Sequence, residues 1–544
     1  MLALMQSHPL LVSDIIAHAA RHHAAAEIVS REASGAIHRT SYAALERRAR
    51  SLATALAQLG VQPGDRVATL AWNGHRHLEA YYAVPGMGAV IHTVNPRLST
   101  DDIAYILADA GSTILLAEAG FAKLVASLAP RLPSLRAVLI LAEDDALPDL
   151  PLAPHQTLHN YDALVAAADP IPAWPTLDEA TASTLCYTSG TTGRPKGVLY
   201  SHRSQVLHAY AINLADVFAL RSIDRVLPVV PMFHVNAWGI PHAAPLVGAA
   251  LVMPGRHLDG ASLHQLMNQE RVTVSAGVPT VWLGLLQYLQ NNNARLDTLN
   301  RLVCGGSACP PLLIEVFARD YGIRVDHAWG MTECSPLGTY CSPKNGEHLL
   351  PPDTVAARRL KQGRAMPGID MRIIDADGRE LPWDGATFGN LEVRGHWVTQ
   401  RYFGADADAA SPEGWFATGD VATIDPDGYM QITDRTKDIV KSGGEWISSL
   451  ELENIAIEHP DVAEAAIIAV RHPKWDERPL LVVVPKPGRT IDPALLLSLY
   501  EGRVARWWTP DEVAIVEELP HTATGKINKL ALRQSFASYQ LGAA

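Results

Sequence analysis

Short apolar segments alternate with amphipathic helical segments along most of the chain before Gly363. From Ser41 to Leu59 the apolar residues recur three or four positions apart and Gly60 ends the run, which predicts a helix. The following apolar run, Arg66–Leu70, predicts a buried strand. The alternation continues with helices predicted over Ile103–Ala110 and Phe121–Leu128. Strands are predicted over Thr113–Leu116, Ala137–Leu141, Leu185–Tyr187, Arg225–Val229, Val272–Ser275 and Leu302–Cys304. This pattern is typical of parallel sheets covered on both faces, so the sequence predicts an α/β fold.

The pattern changes after Gly363, where the apolar runs become shorter and turn sequences separate them. Strands are predicted over Met371–Ile374, Leu391–Arg394 and Tyr429–Thr433. Further along, a capping box of Ser448 and Glu451 predicts a helix start. After this helix, strands are predicted over Ala465–Val470 and Leu480–Val484, and a further helix is predicted over Pro493–Ala505. We therefore expect a large N-terminal domain of layered α/β sheets over 1–436, including a β-rich subdomain over 363–436, and a small mobile α+β C-terminal domain over 437–544.

Composition narrows the classes of protein that the chain can represent. Its 544 residues are too many for one ordinary core, and 48% apolar with 19% charged residues is typical of a globular protein. The net charge of -12 and the lack of a dense Lys/Arg run disfavour nucleic acid as a partner. Five cysteines without zinc-binding spacing predict reduced, buried thiols in a cytoplasmic protein. Prolines and polar residues interrupt the longest apolar stretch, Val226–Met253, so we expect a buried core segment and no transmembrane segment.

The segment Tyr187–Val198 combines hydroxyl side chains, glycines and a lysine directly after a predicted strand. The glycines let backbone N–H groups approach an anion, and Lys196 adds a positive charge suited to a polyphosphate. The segment lacks the Gly-x-x-x-x-Gly-Lys-[Ser/Thr] order of the common P-loop, because Gly197 and Val198 follow the lysine. The sequence therefore predicts a phosphate-binding loop that is not of the Walker type.

The same segment resembles the signature of the acyl-adenylate-forming superfamily, which includes acyl-CoA synthetases, luciferases and peptide-synthetase adenylation domains. Four further segments match motifs of that superfamily in the expected order: Trp329–Glu333, Gly414–Asp420, Asp434–Glu445 and Thr524–Lys526. Five motifs in order are far more specific than one, and the resemblance runs from about Ser41 to Lys529. The resemblance implies an enzyme that uses ATP and Mg²⁺ to activate a carboxylic acid as an acyl-adenylate.

The resemblance also implies which residues bind the nucleotide and the metal ion. Thr188 and Glu333 would hold Mg²⁺, an ion that prefers hard oxygen ligands. Trp329 would stack on adenine, Asp420 would accept hydrogen bonds from both ribose hydroxyls, and Arg435 would contact ribose or phosphate. The full ATP site implied in this way consists of Thr188, Ser189, Gly190, Thr191, Thr192, Gly193, Lys196, Gly306, Ser307, His327, Ala328, Trp329, Gly330, Thr332, Glu333, Asp420, Arg435 and Lys437.

Members of the superfamily turn their C-terminal domain about a hinge between two half-reactions, and Lys437 lies at the hinge position of this chain. Lys526 would neutralise charge near the α-phosphate during adenylation. After the rotation, the loop that contains Lys441 would replace Lys526, and its glycines would let the pantetheine arm of coenzyme A pass. The residues implied in this thioesterification step are Lys441, Ser442, Gly443, Gly444 and Trp446.

The segment Pro231–Gly239 is the most informative one for the acid. His234 matches the residue beside the acyl carboxylate in the superfamily, and it completes the implied catalytic set with Lys526, Glu333 and Lys441. The run from His234 to Trp238 resembles fatty acyl-CoA synthetases, in which the tryptophan gates the acyl tunnel. The implied pocket is apolar, as a fatty chain requires, and is lined by Val235, Ala237, Trp238, Gly306, Ala308, Met331 and Leu337.

Several segments are especially similar to medium-chain fatty acid–CoA ligases of alkane-degrading bacteria. The resemblance therefore implies a ligase that takes a medium-chain fatty acid, ATP and coenzyme A as substrates, with Mg²⁺ as cofactor. Long-chain and methylthiopropionate CoA ligases share much of the pattern, so these two activities stay open as alternatives. A homodimer is also an open alternative, since some fatty acyl relatives are dimers. A luciferase-like oxygenase also stays open, and so does a stand-alone adenylation domain that loads a carrier protein. Against the latter, Phe233–Gly239 lacks the Asp that usually pairs an amino-acid ammonium.

Overall fold

A computed structural model of the chain describes residues 4–144, 147–188, 194–442, 445–521, 527–537, 539 and 541. The chain forms two compact units. The first unit comprises Met1–Thr188, Pro195–Asp370 and Arg394–Phe416, and the second comprises Ser189–Arg194, Met371–Val393 and Ala417–Ala544. The division of the sequence at 436/437 stays a prediction.

The first unit contains twelve of the described helices and sixteen of the described strands. Its helices are α1 Val12–His22, α2 Tyr42–Gln58, α3 His75–Gly86, α4 Thr100–Asp109, α5 Ala122–Leu128, α6 Tyr161–Ala167, α7 His202–Ile212, α8 Ile240–Val247, α9 Gly260–Gln269, α10 Pro279–Asn291, α11 Pro311–Tyr321 and α12 Pro352–Arg359. Its strands are β1 Glu27–Arg31, β2 Ile37–Ser41, β3 Arg66–Leu70, β4 Val90–Thr93, β5 Ile114–Glu118, β6 Ala137–Leu141, β7 Thr157–Asn160, β8 Ala182–Tyr187, β9 Gly197–Ser201, β10 Arg225–Pro228, β11 Ala250–Met253, β12 Val274–Gly277, β13 Arg301–Gly305, β14 Arg324–Gly330, β15 Leu337–Tyr340 and β16 Arg364–Ala365.

These strands form two sheets whose central strands are parallel. The seven-stranded sheet has the order β7-β6-β5-β3-β4-β8-β9, and only its last pair, β8 with β9, is antiparallel. The nine-stranded sheet has the order β16-β15-β14-β13-β12-β10-β11-β1-β2, with antiparallel pairs at its two ends. Because the carboxyl ends of parallel strands meet at one edge of a sheet, the segments after β10, β13 and β14 lie close together.

The helices bury their apolar faces against these sheets. Ser41 caps α2 by accepting a hydrogen bond from the Ala44 backbone, and the apolar stripe predicted for this helix is buried. Trp282 of α10 is fully buried, and its indole donates a 3.2 Å hydrogen bond to the Val303 carbonyl of β13. Burying aromatic side chains of this size contributes much of the stability of such a core.

The second unit contains two smaller sheets and the helices α13 Ser449–Ile457, α14 Pro493–Ser498 and α15 Lys529–Ser535. Its strands, some with end residues in the first unit, are β17 Ile369–Ile374, β18 Phe388–Gly395, β19 Phe416–Ile424, β20 Met430–Arg435, β21 Val440–Ser442, β22 Glu445–Ile447, β23 Val462–His472, β24 Asp476–Pro485 and β25 Glu512–Ile515. One sheet has the order β17-β18-β19-β20, and the other has the order β22-β21-β24-β23 with β25 parallel to β24.

The α/β class with layered sheets and a small C-terminal part is confirmed, whereas several predicted elements have other bounds in the structure. Four predicted strands, Leu185–Tyr187, Leu391–Arg394, Ala465–Val470 and Leu480–Val484, are longer than predicted, and two further elements differ as follows. The helix predicted over Pro493–Ala505 ends at Ser498, and turns follow because Gly502 adopts a positive φ of 71°. The strand predicted over Val272–Ser275 starts two residues later as β12, since Arg271 adopts a positive φ of 52° just before it. None of the described helices is long and apolar enough to cross a membrane.

Candidate active site

Thr188 and Lys196 close the base of the predicted phosphate loop. The loop leaves β8 at Tyr187 and returns as β9 at Gly197. The Thr188 amide donates to the Lys196 carbonyl at 2.9 Å, and the Lys196 amide donates to the Thr188 hydroxyl at 3.1 Å. These two bonds hold the Thr188 side chain and the Lys196 backbone together at the mouth of the loop. The ammonium of Lys196 stays exposed.

Glu333 lies on a short 3₁₀ turn, Thr332–Cys334, shortly after β14. It is 7% exposed, and the Tyr402 hydroxyl donates to its Oε1 at 2.7 Å. The Tyr200 hydroxyl of β9 donates to the Thr332 carbonyl at 2.6 Å. The 3₁₀ turn is therefore tied directly to the strand that leaves the phosphate loop, so the first unit brings Glu333 and the base of the loop into one region.

Two oxygen-bearing side chains of this region could hold Mg²⁺. The Thr188 hydroxyl and the second carboxylate oxygen of Glu333 are hard donors, and Mg²⁺ in nucleotide sites takes few protein ligands beside phosphates and water. This donor set fits the ion. Among the described residues, Glu32, His38 and His75 form another group with ligand atoms within 4.8 Å of one another. Arg76 already donates to both oxygens of Glu32, at 3.1 and 3.0 Å, so we interpret that group as an ion-paired cluster.

The turn after β13 and the strand β14 supply the residues predicted on the nucleotide side. Gly306 adopts a φ of +83°, which only glycine accepts at little cost. His327 is fully buried, and its Nδ1 lies 3.1 Å from the Leu360 carbonyl. Burial lowers the pKa of His327 to about 4, so the ring is neutral at physiological pH. Trp329 is 7% exposed and packs on Gly338, where a Cβ would lie 2.5 Å from the indole.

The acyl segment contains a run of left-handed backbone. Val235, Asn236, Ala237 and Trp238 have φ values of 42°, 52°, 47° and 55°, and Gly239 follows with 78°. This conformation is disfavoured for L residues, above all for a β-branched one such as Val235. Strained backbone of this kind persists only where surrounding contacts impose it, and it clusters at functional sites.

Asn236 is the residue that holds this turn. Its side chain is fully buried and lies 3.2 Å from the Tyr81 hydroxyl, 3.3 Å from Gln205 Oε1 and 3.3 Å from the Cys186 sulfur. Asparagine also tolerates the left-handed region better than most residues. The prediction from the sequence did not include Asn236 among the site residues. An asparagine within the otherwise apolar acyl segment 231–239 could have indicated its role.

The left-handed turn sets the position of the Trp238 indole. Trp238 is 6% exposed and packs on Gly305, where a Cβ would lie 3.0 Å from the ring. Leu337 forms part of the predicted lining, and two side chains fix its backbone. His208 Nε2 accepts from the Leu337 amide at 3.2 Å, and Trp397 Nε1 donates to the Leu337 carbonyl at 2.9 Å. The buried side chains of Trp238 and Leu337 thus present apolar surface.

His208 was not predicted from the sequence, and its environment explains its role. Burial lowers its pKa to about 3, so the ring stays neutral and Nε2 stays an acceptor for the Leu337 amide. The imidazole also lies against the turn, because a Cβ at Gly239 would lie 2.7 Å from its Nδ1. His208 therefore contacts both Gly239 and Leu337.

Replacing Asn236 by alanine is expected to destabilise the first unit and to impair use of the acid. The change leaves buried partners unsatisfied, so we expect the free energy of unfolding to fall by about 2 kcal/mol. Displacement of Trp238 should lower kcat/KM for the acid by about 10- to 100-fold. Thermal unfolding and steady-state kinetics measure the two effects. Asn292→Ala removes an exposed asparagine that donates to the Tyr288 carbonyl at 2.9 Å, and it should change neither quantity. A wild-type kcat/KM in Asn236→Ala would contradict this role.

Within the second unit, the structure brings together Asp420 and Arg435, which face each other on β19 and β20. Asp420 is 3% exposed, and its Oδ1 lies 3.0 Å from Arg435 Nε. On the other side of Lys437, the Asp438 carboxylate accepts from Arg533 of α15 at 2.7 Å. The predicted hinge residue therefore lies between two anchored neighbours and is itself exposed.

The strand β21 carries two residues predicted for thioesterification. Lys441 is exposed, and its backbone amide donates to Glu477 at 2.9 Å. Ser442 is buried and accepts from Arg478 Nη1 at 3.3 Å. Arg478 is in turn ion-paired with Asp511. These contacts hold β21 to the rest of its sheet.

Some predicted site residues lie outside the described part of the chain. They are Ser189, Gly190, Thr191, Thr192, Gly193, Gly443, Gly444 and Lys526, together with the side chain of Trp446. Of the remaining acyl residues, Val235 and Ala237 are buried in the left-handed turn after β10, and Ala308 and Met331 are half-buried just after β13 and β14.

Comparison with known proteins agrees with this fold and these motifs. The model of the AMP-binding enzyme family matches residues 16–403, and that of the AMP-binding enzyme C-terminal domain matches residues 451–526. A 3-methylmercaptopropionyl-CoA ligase from Ruegeria lacuscaerulensis is 50% identical over 98% of this chain and 99% of its own length. A medium-chain-fatty-acid–CoA ligase from Ectopseudomonas oleovorans is 48% identical over 99% of this chain and 98% of its own. The crystal structure of ATP-bound MatB from Rhodopseudomonas palustris superposes with a TM-score of 0.81 at 26% identity, covering 96% of this chain and 99% of that one.

Both family models, together with relatives that match along nearly the whole chain, confirm the resemblance that the five motifs indicated. The chain therefore belongs to the AMP-binding enzyme family, within the acyl-adenylate-forming superfamily.

Proposed function

We propose that this enzyme joins a linear, apolar carboxylic acid of medium chain length to coenzyme A, using ATP and passing through an acyl-AMP intermediate. The observation that carries the proposal is the left-handed turn that seats the buried Trp238 indole on Gly305, with His208 in contact with both this turn and the apolar Leu337. The names of the two relatives at 50% and 48% identity, a 3-methylmercaptopropionyl-CoA ligase and a medium-chain-fatty-acid–CoA ligase, support it.

In the first half-reaction, a carboxylate oxygen attacks the α-phosphorus of ATP and pyrophosphate leaves. Two anions must meet, so the site has to offset the growing negative charge. Lys196 and the loop that it closes with Thr188 would bind the departing phosphates, and Trp329 would stack on adenine. Thr188 and Glu333 would hold Mg²⁺, which when bound neutralises phosphate charge. His234 would orient the carboxylate of the acid.

The second unit would supply groups to both half-reactions. Asp420, kept in place by Arg435, is suited to accept hydrogen bonds from the ribose hydroxyls. Lys526 would stabilise the first transition state. In the second half-reaction the thiol of coenzyme A attacks the acyl carbon and AMP leaves, with Lys441 in place of Lys526 after rotation about Lys437. The anchored neighbours of Lys437 on both sides support a pivot at this residue.

The residues that line the pocket favour an acid whose chain is thin and carries no charge apart from the carboxylate. Val235, Ala237, Trp238 and Leu337 are all buried and apolar, and such a lining favours a methylene chain. 3-Methylmercaptopropionate is the second candidate, because the relative with 50% identity is named for that acid. Its sulfur replaces one methylene of pentanoate, so both acids are thin, flexible chains that the same lining could contact.

Pyrophosphate release with straight-chain acids from C2 to C18, each with and without coenzyme A, tests the proposal. We expect a maximum at about C6–C10, because each added buried methylene contributes about 0.8 kcal/mol until the pocket is full. A maximum near C5, matched by 3-methylmercaptopropionate, would establish the second candidate. A maximum on aryl acids would contradict both. Formation of AMP and acyl-CoA only when coenzyme A is present would exclude an enzyme that loads a carrier protein.

We also propose that the enzyme acts in the cytoplasm as a homodimer. All five cysteines are buried thiols that form no disulfide, which supports a reducing compartment. The dimer follows from the resemblance to fatty acyl ligases, and light scattering of the purified enzyme measures it.

A further inference from the structure

Tyr402 lies between the two charged groups of the first unit that the proposed chemistry needs. The Lys196 ammonium lies 4.8 Å from the centre of the Tyr402 ring. On its other side, the Tyr402 hydroxyl donates to Glu333 Oε1 at 2.7 Å. One aromatic side chain thus contacts the cation of the phosphate loop and the carboxylate proposed for the metal ion.

Backbone contacts fix the segment that carries Tyr402. The Phe403 amide donates to the Gly197 carbonyl at 2.8 Å, and the Thr399 amide donates to the Glu333 carbonyl at 2.8 Å. A Cβ at Gly197 would lie 3.0 Å from the Phe403 side chain, so glycine at this position permits the close approach. The segment from Thr399 to Phe403 therefore joins the residue after Lys196 to the turn of Glu333.

The chemistry of a phenol suits this position. The ring face attracts an ammonium ion without neutralising it. A phenol carries its proton at neutral pH, so the Tyr402 hydroxyl donates to Oε1 of Glu333 at 2.7 Å. That bond leaves the second oxygen of Glu333 available to a metal ion. Without the Tyr402 ring between them, the Lys196 ammonium and the Glu333 carboxylate would attract each other. A direct ion pair would then occupy the groups proposed to bind phosphate and metal.

We propose that Tyr402 is a positioning residue that keeps Lys196 and Glu333 apart and orients the Glu333 carboxylate toward the metal ion bound with ATP. The inference rests on the proposed function, because it assumes that Glu333 serves a divalent cation. Residues that orient a metal-binding side chain typically change metal affinity by about 10- to 100-fold when they are replaced.

The test is the binding of Mn²⁺, a spectroscopic substitute for Mg²⁺, to Tyr402→Phe in the presence of α,β-methylene-ATP. Free Mn²⁺ is measured by electron paramagnetic resonance, with enzyme in excess so that the nucleotide analogue is bound. The phenylalanine keeps the ring face toward Lys196 and removes only the hydrogen bond to Glu333. We expect Mn²⁺ affinity to fall by about 10- to 100-fold and the affinity for the analogue without metal to change by less than about threefold.

Two further variants separate the parts of the inference. Tyr402→Leu removes the ring as well, so Lys196 is no longer held away from Glu333, and the affinity for the analogue without metal should also fall. Tyr539→Phe is the matched control, because its hydroxyl donates to Glu512 at 2.6 Å in the second unit, and it should bind Mn²⁺ like the wild type.

The outcomes distinguish this inference from the proposed function. Wild-type Mn²⁺ affinity in a folded Tyr402→Phe, with an unchanged midpoint of thermal unfolding, would overturn the role of Tyr402 and leave the ligase reaction intact. Failure of the wild-type enzyme to bind Mn²⁺ with the analogue would instead contradict the proposed metal site. Weaker Mn²⁺ binding, together with adenylation that excess Mg²⁺ restores, would establish the positioning role.

Discussion

Replacing Glu333 by glutamine should slow adenylate formation by about 10²- to 10³-fold, because a lost metal contact removes several kcal/mol of charge stabilisation. Glutamine keeps the shape of the side chain and still accepts from the Tyr402 hydroxyl, but it lacks the negative charge that attracts a divalent cation. Glu333 is 7% exposed on its 3₁₀ turn, so the surrounding structure should hold the glutamine in the same place. The isotope exchange between ATP and pyrophosphate measures the first half-reaction alone.

Glu347→Gln provides a close control for this variant. Glu347 is 9% exposed and also lies on a 3₁₀ turn, Glu347–Leu349, but it follows a different segment of the chain and has Arg358 as its neighbour. It should exchange ATP and pyrophosphate at nearly the wild-type rate. Full exchange activity in Glu333→Gln at physiological Mg²⁺ would remove Glu333 from the metal site.

Much of the fold could be predicted from the sequence because its strands are short, continuous apolar runs. Ala137–Leu141 and Arg66–Leu70 have the predicted bounds, since every residue of the first and nearly every residue of the second is buried. The helix beginning at Ser448 likewise follows from local chemistry, with the Ser448 hydroxyl accepting from the Glu451 amide. Local hydrogen bonds and a regular period of burial are encoded within a few residues.

The contacts missed in the first unit join residues that are distant in sequence. Tyr402 and Glu333 are 69 positions apart, and His208 and Leu337 are 129 apart, so no local period relates them. The left-handed run from Val235 to Trp238 was missed for a related reason. Residues of these types disfavour that conformation, and only tertiary contacts to Asn236 impose it. The prediction succeeded where local preference and fold agree, and it failed where the site overrides local preference.

The two lysines proposed for the two half-reactions belong to different parts of the second unit's sequence. Lys441 lies on β21, whose backbone is held by Glu477. Lys526 lies outside the described residues, but the helix α15 begins three positions later with Lys529. The half-buried Lys529 ammonium is 2.6 Å from Glu453 Oε1 and 2.6 Å from the Ser449 hydroxyl, which anchors α15 to α13. Because β21 and α15 are anchored separately, truncating one lysine should leave the support of the other unchanged.

Lys526→Ala should therefore abolish adenylate formation, with a loss of at least about 10³-fold, and leave thioesterification of supplied acyl-adenylate within about threefold of the wild type. A cation beside the α-phosphate stabilises the charge of phosphoryl transfer in the first transition state, whereas in the second step Lys441 would have taken the place of Lys526 after the rotation. Lys441→Ala should show the reverse, with a smaller loss of about tenfold confined to the coenzyme A step. Pyrophosphate exchange and acyl-CoA formation from synthetic acyl-AMP separate the two steps.

Lys486→Ala, which removes an exposed lysine near Pro460, is the control and should affect neither step. Equal losses in both steps for Lys526→Ala would mean that one arrangement of the second unit serves both reactions, and the pivot at Lys437 would then have no catalytic purpose.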